Sequence, residues 1–423
     1  MNTVMYIRPR VQKPESLETF GPSEARRSVG GSATARLMRR LPSVAVVGLG
    51  GVGGAVAASL ATAGTCELTC VARGAGLDTL RRHGLRVTLH DKRVVSCGAV
   101  RAVEADVRAT RAIGVQDTLI LTTKAHQLDA SLEAIAPLIG PSTSIVPLQN
   151  GLPHWFFAGF GGKALDGTDL RSIDPNGRLR RALPPSQCVG AVGFVAGSTR
   201  DAPDGSCREW FCNWPPERST ITLGDAMTGD AQSRAHEVAS LFRSESVELP
   251  TRCVDDIRSV VMSKLLVNAS INTLSYARSR TLTHAQQLTP SHPQSTLLIP
   301  FDSLMFVWAH SALTRLDCGE LTADDGLRKA LRAICDEVAD VAAAITPPVA
   351  LTTDADAVLK LYGGQFGLRS SMLQDLESGR PLEHAPIVSA LVEVGQRLGV
   401  SVPRLEMVDA LLDALSPSAS AKL

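Results

Sequence analysis

Apolar and polar positions follow one rhythm in the first half of the chain and another in the second. Val44 to Val47 is apolar at every position, as a strand buried on both faces must be, and the glycines behind it allow a sharp turn into a helix through Ala63. Glu67 to Ala72, Leu119 to Leu121 and Ser144 to Leu148 repeat the strand pattern, and an amphipathic segment runs towards Ile139 between the last two. Leu77 to His83 suits a short helix stopped by Gly84, and Leu85 to Leu89 with Arg93 to Val100 suits a hairpin turning at Asp91-Lys92. Strands are expected again at Val189 to Ala196, Glu209 to Asn213 and Thr220 to Leu223, then a helix at Asp230 to Ser244. After Val254 the pattern turns helical: Asp255 to Tyr276, Leu321 to Ile345, a helix starting at Ser370 and another at Pro386 to Leu398, with Pro347-Pro348 as a break.

The turn after Val47 reads G-L-G-G-V-G, which puts Gly48, Gly50 and Gly53 in the G-x-G-x-x-G register. The first glycine permits the tight turn, the second lets a pyrophosphate approach the backbone, and the third lets helix and strand pack closely. Leu49, Gly51 and Val52 complete the turn, and the free N–H groups of the following helix point at the phosphates. Arg39-Arg40 ahead of the uncharged run to Cys66 imitates a twin-arginine signal peptide, an alternative that the crowding of glycines in the run opposes. The chain is therefore assigned to the α/β class: an N-terminal Rossmann-type doubly wound sheet followed by an all-helical C-terminal domain. The boundaries expected are a disordered tail at 1–42, a nucleotide domain at 43–250 and a helical domain at 251–415.

With 423 residues the chain is long enough for two or three domains, and its net charge of +1 provides no field to attract nucleic acid or an anionic membrane. A small-molecule protein without nucleic-acid or membrane partners follows. The nine cysteines are scattered, with no Cys or His pairs at zinc spacing, so no metal is expected, and reduced thiols in a cytoplasmic protein are. No apolar stretch is a convincing membrane span, since Pro300 and Asp302 interrupt Thr296 to Leu313.

Candidate chemistry sits at the carboxyl ends of the strands, where open α/β sheets bind ligands. Arg73, rather than an acid, ends the second strand, which favours the 2′-phosphate of NADPH over the ribose hydroxyl of NADH, unless Arg73 is only a solvated strand end. Thr123-Lys124 and Gln149-Asn150-Gly151 close the next two; Asn150 can bind cofactor or substrate, or be a turn residue before Gly151. Leu152 to Pro185 has no clear period and carries Trp155, Phe156, Phe157 and Phe160, as a functional flap or insertion would. In the first C-terminal helix Lys264, Asn268 and Asn272 share one stripe, suited to a carboxylate and an oxygen, or else to solvent. Arg380 and Glu383 read as a loop ion pair or as part of a site, and composition alone favours the ion pair.

Together these stretches resemble the ketopantoate reductases (2-dehydropantoate 2-reductases). The matching pieces are Gly48 to Gly53, Arg73, Thr123-Lys124, Gln149-Asn150-Gly151, Lys264 to Asn268 with Asn272, and Ser371 to Asp375 through Gly379-Arg380 to Glu383, over roughly Val44 to Leu412. The resemblance implies NADPH-dependent reduction of ketopantoate to pantoate, in a cleft between the two domains, with Lys264 as general acid and Glu383 supporting it. Asn268, Asn272 and Ser371 would hold the substrate, Lys124 and Asn150 would line the cleft beside the nicotinamide, Arg73 would bind the 2′-phosphate, and a homodimer is plausible. Longer segments near 155–185 and 276–316, Met262 before Lys264 and His384 after Glu383 depart from the pattern. They leave open another branched 2-oxo acid as substrate, or a protein that binds NADPH as a sensor without turnover.

Overall fold

The computed structural model describes residues 40–97, 100–202, 207–227, 232–273 and 316–415. The tail expected at 1–42 lies outside them apart from residues 40–42, as does the insertion at 276–316 apart from Leu316.

Five parallel strands form the central sheet in the order Arg101–Glu104, Glu67–Ala72, Ser43–Val47, Thr118–Leu121, Ser144–Pro147. Sequence order reverses at Ser43–Val47, which creates the switch-point crevice that nucleotides use in doubly wound folds. Val44 and Val46 face one apolar layer and Ala45 and Val47 the other, so the strand is apolar on both faces after Ser43. Arg101–Glu104 was not anticipated. It lies at the sheet edge with Arg101 and Glu104 exposed, and such a strand carries little apolar signal.

An isolated bridge between Ile145 and Cys188 leads from this sheet to three further strands, Val189–Phe194, Thr220–Asp225 and Thr251–Cys253. A separate four-stranded sheet contains the expected hairpin, Leu85–Leu89 with Val94–Cys97, and adds Arg208–Cys212 and the unanticipated Gly197–Asp201. It packs on the helix Gly51–Ala63, and Trp210 donates its indole N–H to the Leu49 carbonyl at 3.1 Å.

The other face of the central sheet is covered by helices, and one apolar core runs from Ala45 through Leu265 to Leu412, across the boundary expected near Pro250. Three expected helices differ in form. Leu321 to Ile345 is broken into Cys318–Ala323 and Asp325–Ala344, because Asp324 accepts a hydrogen bond from the Leu327 N–H and starts the second helix afresh. The helix Ile257–Val267 continues as a π-turn, Asn268–Asn272, and Ala390–Leu398 is preceded by another, Ala385–Ser389. π-Turns are frequent at functional sites.

The aromatic stretch after Gly151 does not cover a pocket with its rings. Trp155, Phe156 and Phe157 are buried in the core, and the buried guanidinium of Arg258 donates to the carbonyls of Phe156, Ala158 and Ala226 at 2.6–3.0 Å. It also lies over the Phe160 ring. One side chain of the Lys264 helix thus fastens this stretch in place.

Candidate active site

At the glycine turn, close packing accounts for two of the three signature positions and open space for the third. Gly48 has φ +93°, and a Cβ there would stand 2.7 Å from the Thr123 nitrogen; a Cβ at Gly53 would stand 2.1 Å from the Gly48 oxygen. The Thr122 hydroxyl donates to the Gly48 carbonyl at 2.7 Å and secures the turn. Gly50 is exposed, with no atom within 4 Å of its Cβ position, so a ligand can come right up to the backbone. The helix it caps has no side-chain cap bond and no acid in its first turn, which leaves N–H groups and the positive dipole end for an anion. Leu49 is buried, Val52 is half-buried, and Gly51 abuts the Gly197 backbone. Arg73 is exposed at the end of the neighbouring strand, ahead of the helix Gly74–His83. A pyrophosphate against Gly50 and a phosphate against Arg73 fit these residues.

The next two strand ends lead to the second part of the site. Lys124 starts the helix Ala125–Ile135 and reaches two carboxylates of the C-terminal region, Asp375 and Glu383, at 2.8 Å each. Glu383 also accepts from the Ala125 N–H at 3.2 Å and from Asn150 Nδ2 at 3.4 Å. Gly151 makes this meeting possible: φ is +92°, a Cβ would stand 2.6 Å from the Pro386 oxygen, and the Leu152 N–H donates to that oxygen at 2.7 Å. The Asn150 turn is thereby docked on the π-turn that follows Glu383.

A cavity of about 100 Å³ opens beside this turn, and Asn150, Lys264 and Asn268 all line it. Lys264 donates from Nζ to the Gly193 carbonyl at 2.5 Å and lies over the Phe194 ring at 5.3 Å. Burial brings its pKa down to about 8, against the opposing pull of the Glu383 charge. Burial also acts on Lys124, but the charges and hydrogen bonds of Glu383 and Asp375 outweigh it, and the pKa of Lys124 is raised. Two lysines in one site are thus set apart, one ammonium held fast and one poised to release a proton. Asn268 accepts from Asn272 Nδ2 at 3.2 Å, while its own Nδ2 is buried without a partner. A buried donor in this condition, on a residue that lines the cavity, is what a bound oxygen would satisfy.

Of the anticipated site residues, Asn150, Lys264 and Asn268 meet in the cavity, Asn272 stands behind Asn268, and Glu383 and Lys124 pair beside Asn150. Ser371 is exposed at the first position of the helix Ser371–Glu377, outside the cavity lining; its buried neighbour Ser370 caps that helix. The ion pair considered between Arg380 and Glu383 is not formed. Arg380 binds Asp375 at 2.9 Å, because the Glu383 carboxylate is taken up by Lys124, Ala125 and Asn150. Asp375 belongs to the run that matches the family, with no role expected of it. Its signal was present, since it is a carboxylate beside the buried Met372 and Leu373 of the same short helix. The Gly193 carbonyl had none, being backbone.

A dinucleotide cradle beside a buried ammonium that can give up a proton is the layout of an oxidoreductase. Comparison with known proteins makes this specific: the chain belongs to the ketopantoate reductase PanE/ApbA family, whose N-terminal model matches residues 44–155 and whose C-terminal model matches 304–416. The 2-dehydropantoate 2-reductase of Mesorhizobium japonicum is 32% identical over 373 residues, 88% of this chain and 97% of its own. Among solved structures, a candidate ketopantoate reductase of Ralstonia solanacearum MolK2 matches with a TM-score of 0.69 at 27% identity, over 90% of this chain and 99% of its own. D-mandelate dehydrogenase with NADH and anilino(oxo)acetate shares the fold, with a TM-score of 0.64 at 19% identity, over 89% of this chain and 99% of its own. The matched stretches contain Arg73, Lys124, Asn150 and Glu383; Lys264, Asn268 and Asn272 fall between them. Among the described residues, no helix is long and apolar enough to cross a membrane.

Proposed function

We propose that the protein reduces ketopantoate (2-dehydropantoate) to pantoate with NADPH, in the pathway to pantothenate and coenzyme A. The observation that carries this is the half-buried Lys264, its ammonium brought to a pKa of about 8, in one cavity with Asn268, whose Nδ2 has no partner among the described residues. When bound, the cofactor supplies hydride to the carbonyl carbon of the substrate. Lys264 gives a proton from Nζ to the carbonyl oxygen, and its charge offsets the negative charge that gathers there as the proton moves. Asn268 Nδ2 donates to the substrate, with its side chain steadied by Asn272, and Asn150 directs the substrate towards Lys264. Ser371 would join from the neighbouring helix once substrate is in place. Glu383, held by Lys124, keeps a negative charge near Lys264 and so limits how far burial can deprotonate it.

Gly48 to Gly53 would carry the pyrophosphate and Arg73 the 2′-phosphate. The division near Pro250 into a cofactor part and a helical part, with a homodimer formed through the latter, belongs to the same proposal. The nine unpaired thiols support a cytoplasmic setting. A second reading keeps this chemistry but changes the substrate to another branched 2-oxo acid, favoured by Ser172, Ile173 and Leu179 of the departing segment, which line the cavity. The test is NADPH oxidation by purified protein over ketopantoate, other branched 2-oxo acids and phenylglyoxylate, with NADH run in parallel. The largest kcat/KM for ketopantoate with NADPH supports the first reading, a larger one for another branched acid the second, and no saturable oxidation with any of them contradicts both.

A further inference from the structure

We propose that His154 is a specificity-determining residue: its Nδ1 accepts a hydrogen bond from the substrate, so that the pocket selects a 2-oxo acid with a hydroxyl on its branched end. This rests on the reductase reading above and extends it to a residue with no assigned part in the reaction. His154 is half-buried and lines the cavity with Lys264, Asn150 and Asn268. Its Nε2 lies 2.9 Å from the Leu183 carbonyl oxygen, which can only accept, so Nε2 carries the ring proton and donates it. The Cys188 thiol, 3.8 Å from the same nitrogen, also stands 3.8 Å from that carbonyl and can donate there instead. Burial lowers the His154 pKa against the opposing pull of the Leu183 carbonyl and the Asp174 charge, which keeps the ring neutral. Nδ1 is then an acceptor only, and it has no partner among the described residues.

Both ends of this arrangement are held in place. His154 follows the Asn150 turn, which the Leu152 N–H docks on Pro386 at 2.7 Å, and the Phe156 N–H closes the next turn on the Pro153 carbonyl at 3.0 Å. Leu183 is buried behind the short helix Arg178–Ala182, and its N–H donates to the Leu179 carbonyl at 2.7 Å. Buried Asp174 fastens the start of that helix, accepting from the Leu179 and Arg180 N–H groups at 3.1 and 2.9 Å. The ligand's chemistry decides what can meet Nδ1. Ketopantoate has acceptor oxygens at its carboxylate and carbonyl and a single donor, its hydroxyl. Lys264 Nζ and Asn268 Nδ2 are donors and suit the acceptors; a lone pair repels those oxygens and is satisfied by the hydroxyl. His126, the second imidazole of the lining, has no hydrogen bond among the described residues to fix its tautomer and so makes no such choice. Gln149 and Asn150 also bring acceptor oxygens to the lining, and variants of His154 separate its part from theirs.

The experiment compares kcat/KM for ketopantoate and for trimethylpyruvate, the same skeleton without the hydroxyl, with NADPH, in wild type, His154→Phe and His154→Asn. Wild type is expected to prefer ketopantoate by about 10-fold or more, since an acceptor left unpaired in the pocket costs on that order. His154→Phe should bring the ratio to within about threefold of one, while the NADPH dissociation constant stays unchanged. His154→Asn, whose Oδ1 takes the place of Nδ1, should keep most of the preference. Both acids are measured on one sample, so a smaller folded fraction cancels from the ratio. A preference that His154→Phe leaves unchanged, a preference lost equally in both variants, or equal wild-type use of the two acids overturns the assignment of His154 and leaves the reductase reading standing. A wild type that favours trimethylpyruvate overturns it and supports the second reading above, and one that reduces neither acid overturns the reductase reading as well.

Discussion

Between Gly48 and Gly53 the chain makes room by leaving side chains out, and around Lys264 it puts charged and amide groups into a space that could have been apolar. The first region is local: six consecutive residues and a threonine hydroxyl fix its shape. The second is assembled from a distance. Lys124 and Glu383 are separated by 259 positions, Lys264 meets a carbonyl 71 positions away, and the Asn150 turn is docked on Pro386. A nucleotide phosphate is the same in every reaction and needs only backbone. A substrate and a moving proton need groups whose pKa values are pushed apart, which takes burial and partners from several elements.

Breaking the second region should have the largest effect. Lys264→Ala is expected to lower turnover by ~10²-fold or more while leaving the NADPH dissociation constant within about twofold of wild type, because proton transfer contributes on that order. Steady-state rates and a binding titration of the same sample check this, and near-normal turnover would remove Lys264 from the mechanism.

The first region can be broken in two ways that separate fold from function. Gly53→Ala puts a Cβ 2.1 Å from a backbone oxygen, so a lower melting temperature and weaker cofactor binding should come together. Gly50→Ala meets nothing in the free protein and keeps an extended backbone, so its melting temperature should match wild type while NADPH binding weakens by about 10-fold or more. Equal binding by Gly50→Ala and wild type would mean that the cofactor does not approach there. The smallest effect is the finest distinction: Arg73→Ala should raise the KM for NADPH several-fold, of the order expected for about 1 kcal/mol from an exposed charge pair, and leave that for NADH nearly unchanged. An equal rise for both would sink the 2′-phosphate assignment.

The same contrast explains what could be read in the sequence. The parallel core strands and the glycine turn were legible because each is a local pattern with a local cause, an unbroken apolar run or a missing side chain. The edge strand Arg101–Glu104 and the strand Gly197–Asp201 were not, since exposed strands have no apolar period to show. Lys264, Asn268 and Asn272 stood out as an unusual polar stripe, but that Asn272 turns to Asn268 rather than to the cavity depends on a π-turn that spacing does not announce. Trp155 to Phe160 suggested a flap because nothing nearby in sequence covers the rings; Arg258, a hundred residues on, does so. Partners were hardest of all. Glu383 was singled out only through the family resemblance, and its pairing with Lys124 rather than Arg380 goes with the long-range docking of Gly151 on Pro386.

The central claim is that Lys264 is the proton donor and that burial has tuned it. The most direct measurement is the pH dependence of kcat/KM for ketopantoate reduction between pH 6 and 10. A donor must carry its proton, so a pKa lowered from 10.5 to about 8 leaves the active form intact below that value and removes it as pH rises through it. The predicted profile is flat on the acid side and falls by about tenfold per pH unit above 8. A rate that holds level to pH 10 would contradict the account, because the proton would then come from a group other than a buried, destabilised ammonium.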